Sequence, residues 1–416
     1  MEDMLKTCVE HAEETRSLWV PSRVPEYTFQ SLEEAAAVGR SAVGKHKPFV
    51  IKSGSIGVTW GHSLDAWDPE YLRAKLGDVL LPVDITPNGR ADALLQGLPL
   101  FVLPDEVNMT FDSFLDALAH ARHQLHSSSP TSSSPTSSSP APSSSPAPSS
   151  SHPLHPPCGR VSNLASISST LSSSPPPSTT FPIPLQFQTP PPPYGIPYIQ
   201  RQNGNFDGKE WDPLRDDVDT APLLGAAMFG PANPDPAVTN IWMGGSGSVT
   251  SLHKDFYENL YVVVAGTKTF TLLPPSDAPF LHEGTYPTAR YKRSGETEEG
   301  GGETWTLEED PHVASTTWIP VDPDYPDVDR YPLAAHIAPI TVTLQAGDAL
   351  YLPALWYHKV TQTPDPDTGL MISINHWYEM DFATPYYTTF SLLENLGARL
   401  RDHHHHQDEE KVENAT

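Results

Sequence analysis

The sequence predicts a mainly β fold, a barrel or sandwich of short strands with helices flanking it at both ends. Two observations predict it. From Tyr198 onward, short apolar runs alternate with turn signals and few helical patterns intervene. Helical spacing of apolar residues is instead confined to the first 125 residues and to Pro385–Leu400.

Taken in order, Ser31–Val43 reads as a helix. Leu32, Ala35, Ala36 and Val38 form one face, and Glu33 and Glu34 oppose the positive end of the helix dipole. Pro48–Lys52 is a short apolar strand ended by Ser-Gly, and Pro69–Leu76 is a second helix. Val79–Ile85 reads as a strand closed by the turn Thr86-Pro-Asn-Gly89. Thr110 caps a helix to Leu125, on which Phe111, Phe114, Leu115 and Leu118 repeat at helical spacing. The strands expected further on are Val238–Met243, Val249–Asp255, Leu260–Val264, Lys268–Leu273, Ile340–Leu344, Ala349–Leu352 and Leu370–Trp377. Ala265-Gly-Thr267 is a tight turn and makes 260–273 a β-hairpin. Tyr291–Asp310 is rich in Gly and Glu and reads as a mobile acidic loop. Phe390, Leu392, Leu393, Leu396 and Leu400 give the last helix an apolar face, which either packs on its own barrel or pairs with a second chain.

Residues 127–151 contain only Ser, Pro, Thr and Ala, from which no core can be built. The expected organisation is therefore an N-terminal α/β part at 1–125, a disordered Ser/Pro-rich insert at 126–190, and a β core at 191–383. A C-terminal helix at 384–402 and a disordered tail at 403–416, with His403–His406, complete it. Pro190–Tyr194 contains a Pro-Pro-x-Tyr string, which suits a stiff linker or a WW-domain ligand.

The balance of 25 basic against 51 acidic residues gives a net charge of −26, which repels nucleic acid and anionic membranes. A solubilising surface accounts for it, and a basic protein substrate is compatible with it. Cys8 and Cys158 cannot make a disulfide framework, so a reducing compartment is expected: the cytoplasm, and the nucleus besides. The charged N-terminal residues do not resemble a signal peptide, and no apolar run reaches the ~18 residues of a membrane span.

Non-haem Fe(II) oxygenases hold iron with two histidines and one carboxylate on one face of the metal, leaving the other face open. The sequence form is His-x-Asp/Glu with a distal His. It occurs three times here: His11-Ala-Glu13, His253-Lys-Asp255 and His406-Gln-Asp408. The first lies in a helix-like segment, where residues two apart diverge, and the third lies in the tail. Only the second leaves a strand-like run, and on a strand residues two apart share a face. The apolar run Ala349–Tyr357 then delivers His358 as the distal ligand. The cosubstrate 2-oxoglutarate needs a cation for its far carboxylate. Lys268, on the strand after the turn, is the candidate, and Thr250 offers a hydroxyl.

These residues together resemble the JmjC (jumonji) family. Thr250–Lys268 is similar to its metal and 2-oxoglutarate segment, and Gly347–His358 and Asn375-His-Trp377 extend the likeness. Asp84–Asp92 and Tyr198–Gln202 resemble the family's bifunctional peptidase and (3S)-lysyl hydroxylase group. The resemblance implies a double-stranded β-helix, a cupin-like jelly roll. It implies Fe(II) on His253, Asp255 and His358. It places Lys268, Thr250, Asn259, Tyr198 and Asn375 around 2-oxoglutarate, with Trp377 packing nearby. The chain departs from the family's pattern in its Ser/Pro insert, its acidic loop, and His376 where an aromatic is commoner.

The implied activity is an O2-consuming dioxygenase that hydroxylates lysine at C-3, with a developmentally regulated GTP-binding protein as the implied substrate. An Nε-methyl-lysine demethylase uses the same chemistry. A peptidase attaches to the resembled group, yet no His-Glu-x-x-His is present. The remaining alternative, a catalytically silent cupin-like binding module, is opposed by the intact His253, Asp255, His358 and Lys268.

Overall fold

The strand Tyr257–Ala265 is buried at every residue between Glu258 and Val264. A strand can be apolar on both faces only when a layer covers each. Leu260 and Val262 pack with Ala35, Leu224 and Met228, which belong to the helices Leu32–Val43 and Ala221–Phe229. Tyr261 and Val263 point the other way and pack with Phe270, Leu272 and Leu344 of a second sheet. Each buried aliphatic side chain of this kind contributes about 1.5–3 kcal/mol.

The computed structural model describes residues 2–56, 63–95, 98–127, 182–185, 195–202, 204–218, 221–231, 233–294 and 304–413. Most of the Ser/Pro insert, Pro190–Tyr194 and the centre of the acidic loop lie outside them. Among the described residues, two facing sheets build the jelly roll. The larger runs through Ala349–Leu352, Tyr257–Ala265, Met371–Glu379 and Val238–Gly244 as antiparallel neighbours. It continues into Ile196–Ile199, Leu80–Thr86 and Asp105–Thr110, so the N-terminal part shares the core's own sheet. The smaller sheet is Val249–His253, Tyr357–Thr363, Thr267–Leu273 and Ile340–Gln345. A third sheet joins Phe101–Leu103 to Gly284–Ser294 and Thr304–Glu309.

Four expectations need correction. The residues 260–273 do not form a hairpin: Tyr257–Ala265 and Thr267–Leu273 belong to different sheets. Gly266, at φ +72°, turns the chain across the barrel, and a Cβ there would meet the Thr363 carbonyl oxygen at 2.6 Å. The acidic loop is shorter than 291–310, because Ala289–Ser294 pairs with Thr304–Glu309; buried Tyr291, Trp305 and Leu307 supply the apolar face that a loop lacks. The insert is not wholly structureless, since Ile183–Pro184 pairs with Thr306–Leu307 and the neighbouring Leu185 joins Ile183 at the core. The last helix runs over Pro385–Glu413 rather than stopping at 402, as no Gly or Pro follows Leu400 to break it.

Helix starts follow the sequence. Ser31 accepts the Glu34 N–H at 3.1 Å, Asp68 accepts that of Tyr71 at 2.8 Å, and Thr110 that of Ser113 at 3.2 Å. Phe390, Leu393 and Leu400 of the last helix are buried within the chain, while Leu392 is exposed. Among the described residues no helix is long and apolar enough to cross a membrane.

Candidate metal centre

The smaller sheet sets the centre. Val249–His253 pairs antiparallel with Tyr357–Thr363, and the register places His253 directly opposite His358. Their rings are 4.1 Å apart, centre to centre. Asp255 was expected on the same strand, but the strand ends at His253. Asp255 sits in the connection beyond it, fixed by a 2.9 Å hydrogen bond from the Leu355 N–H to its carbonyl. Leu355 holds φ at +69°, a conformation costly for a branched side chain. That turn leads into the second histidine strand, so one backbone bond ties Asp255 to the approach to His358.

Each imidazole has its Nδ1 against a backbone carbonyl two residues earlier, at 2.9 Å to Ser251 for His253 and 3.0 Å to Trp356 for His358. A nitrogen facing a carbonyl carries the proton, so each Nε2 presents its lone pair. The two Nε2 atoms lie 3.9 and 3.6 Å from Asp255 Oδ2. One donor atom from each residue falls within 4.8 Å of the others, and all three residues are buried. Asp255 Oδ1 is buried with no hydrogen-bond partner. Trp318 lies parallel to His253 at 6.1 Å, and its indole N–H donates to Ser251 Oγ at 3.0 Å.

Burial lowers the pKa of His253 and of His358 to about 4. Burial raises that of Asp255, against the pull of His358 and Lys254. At neutral pH the histidines are therefore in the uncharged form that ligates metal. Two imidazole lone pairs converging on a carboxylate with an orphaned oxygen fit a divalent cation.

The adjoining cavity is lined by Thr250, Asn259, Asn375 and Trp377. Asn375 donates to Asn259 Oδ1 at 3.2 Å and accepts the Trp242 indole N–H at 2.9 Å. Trp377 stacks on Tyr257 at 4.7 Å. Lys268 and Tyr198 meet beside this lining: Lys268 Nζ donates to the Tyr198 hydroxyl at 2.9 Å and lies 5.8 Å from the Tyr261 ring centre. Lys268 is only 2% exposed. Sequence reasoning missed Gln202, Trp242 and Tyr261, which also line the cavity. Tyr261 had a signal: it is two residues beyond Asn259 on one strand and so shares its face. His376 points to the opposite face, with its Nδ1 3.4 Å from Thr239 Oγ1.

A jelly roll with a buried His-Asp-His cluster at one end of the smaller sheet is the arrangement of a cupin-type metal protein. The cupin-like domain family matches residues 35–384, and the chain belongs to this cupin-like JmjC family. The human bifunctional peptidase and (3S)-lysyl hydroxylase JMJD7 is 38% identical over 202 residues, 49% of this chain and 59% of that protein. JmjC domain-containing protein E of Dictyostelium discoideum is 39% identical over 197 residues, 45% of this chain and 55% of that protein. The lysine-specific demethylase JMJ32 of Arabidopsis thaliana is 38% identical over 209 residues, 48% of this chain and 57% of that protein. The chain thus spans a little over half the length of these relatives.

Proposed function

We propose that this chain is an Fe(II)- and 2-oxoglutarate-dependent protein hydroxylase that oxidises C-3 of a lysine side chain. The observation that carries the reading is the His253–Asp255–His358 cluster, with both Nε2 lone pairs turned inward beside a polar cavity. His253, Asp255 and His358 would hold the iron. When bound, iron with 2-oxoglutarate and O2 supplies the oxidation of an unactivated C–H bond to an alcohol, with succinate and carbon dioxide as by-products.

The chain's own residues bind and orient. Lys268, with the Tyr198 hydroxyl, offers a charge-assisted site for the far carboxylate of 2-oxoglutarate. Thr250, Asn259 and Asn375 offer a hydroxyl and amides to the remaining oxygens. Tyr261, Trp242 and Trp377 wall the cavity and exclude water, which strengthens each polar contact inside it. Lysine as the target is supported by the (3S)-lysyl hydroxylase activity of the human relative, and a basic protein substrate suits the chain's negative charge.

The demethylase reading has its own support in the Arabidopsis relative. Incubation with Fe(II), 2-oxoglutarate and lysyl or methyl-lysyl peptides separates the two by mass. Gain of one oxygen is the expected result, and loss of a methyl group would establish demethylation instead. Absence of succinate formation with every peptide would favour a non-catalytic binding module.

A further inference from the structure

Lys254 stands in sequence between two of the proposed ligands, His253 and Asp255, yet its ammonium is spent elsewhere. Its Nζ lies 2.8 Å from Glu283 Oε1 and 2.9 Å from Glu394 Oε1, and the side chain is 11% exposed. The same Nζ is 5.4 Å from the ring centre of Tyr357, the residue before His358, and 5.7 Å from that of Phe390. Three elements meet at one cation: the connection that carries Asp255, the turn at His282-Glu283, and the Pro385–Glu413 helix that supplies Phe390 and Glu394. The Glu283 side is itself fixed. His282 sits at φ +53°, and its Nε2 accepts the Leu333 N–H at 3.1 Å.

A buried cation costs desolvation free energy, and its attraction to carboxylates offsets this only when the geometry is good. Apolar residues of similar volume often serve stability as well, so stability alone does not call for such a group. Geometry does. A metal site needs donor positions held within about 0.5 Å, and Asp255 lies off the strand ladder that fixes His253 and His358. Lys254 is adjacent to Asp255 and His253 in the chain and touches the ring adjacent to His358. It therefore adjoins all three donors while coordinating nothing.

We propose that Lys254, Glu283 and Glu394 form a strut that sets the spacing of the metal ligands, so that the seating of the C-terminal helix governs metal affinity. The inference rests on the metal-binding reading above. Lys254 is a positioning residue, and Glu394 acts on the centre from a helix that contributes no ligand.

The test titrates the full-length protein with Co(II), whose visible spectrum reports coordination geometry. Lys254→Met should weaken Co(II) binding by about 10-fold or more, the scale seen when groups behind metal ligands are removed, and should alter the visible bands. Glu394→Gln should change affinity and bands in the same direction, and Lys254→Arg should recover part of the loss. A purely electrostatic role predicts the opposite for Lys254→Met, because deleting a positive charge near the site tightens cation binding. Unchanged or tighter binding by Lys254→Met overturns the strut. If Lys254→Met does not fold, Glu394→Gln decides: bands identical to the wild type overturn the proposal. Failure of the wild-type protein itself to bind Co(II) would instead sink the metal reading.

Discussion

Three buried histidines show what makes a site. His253, His358 and His376 are all deeply buried, and burial lowers each pKa to about 4. Judged by titration alone they are alike. They differ in what the rings face. His253 and His358 each anchor Nδ1 on a carbonyl and turn Nε2 toward one carboxylate. His376 meets Thr239 at 3.4 Å, and its Nε2 is buried without a partner. A perturbed pKa therefore marks burial, and convergence on a shared anion marks function.

The largest expected effect tests this contrast directly. His253→Ala or His358→Ala should reduce Fe(II) or Co(II) affinity by at least about 100-fold, since each removes one of three donors and exceeds the ~10–100-fold loss typical of outer groups. His376→Phe should leave affinity within a few-fold. Equal losses in a metal titration would erase the distinction. Next in size, Lys268→Ala should raise the 2-oxoglutarate requirement by about 10–100-fold, the worth of a hydrogen bond to a charged group, while sparing metal affinity. An unchanged requirement in succinate-release assays would remove Lys268 from that role.

Acid is expected to act on stability rather than on affinity. The three histidines have folded pKa values of about 4, below the ~6.5 of an unfolded chain. Between those values the unfolded state binds more protons, so stability falls as pH drops through the window from ~6.5 to about 4. Denaturant unfolding of the metal-free protein at pH 7 and pH 5 should show the loss. His376→Phe should make it shallower and should not lower stability at pH 7, because it removes an orphaned buried nitrogen. A steeper acid response in that variant would contradict the assignment.

Much of the fold was legible because strand patterns are local. The runs 238–243, 340–344 and 349–352 appear almost as read, and Thr110 caps the helix it precedes, while Ser31, read as the first helical residue, is a cap. The hairpin was misread because a Gly turn specifies a reversal but not which sheet receives the next strand. Trp242 and Gln202 escaped notice because neither the apolar run around Trp242 nor the Gln-Arg-Gln string at 200–202 shows which of its side chains faces the cavity.

The sequence by itself determined the kind of site. His-x-Asp/Glu occurs three times, yet among the described residues only the copy leaving a strand, followed by Lys268 and a later apolar run to His358, assembles a donor set. Side-chain chemistry and the two apolar runs that deliver His253 and His358 suffice for that, because both are carried by neighbouring residues. Only the tertiary structure decided how Asp255 is held. It lies past the end of its strand, on a hydrogen bond from Leu355, next to a lysine whose charge is matched by Glu283 and by Glu394, 140 residues farther along the chain. Such contacts leave no periodic trace in the sequence, since they depend on packing between elements whose order in the chain does not predict their distance in space.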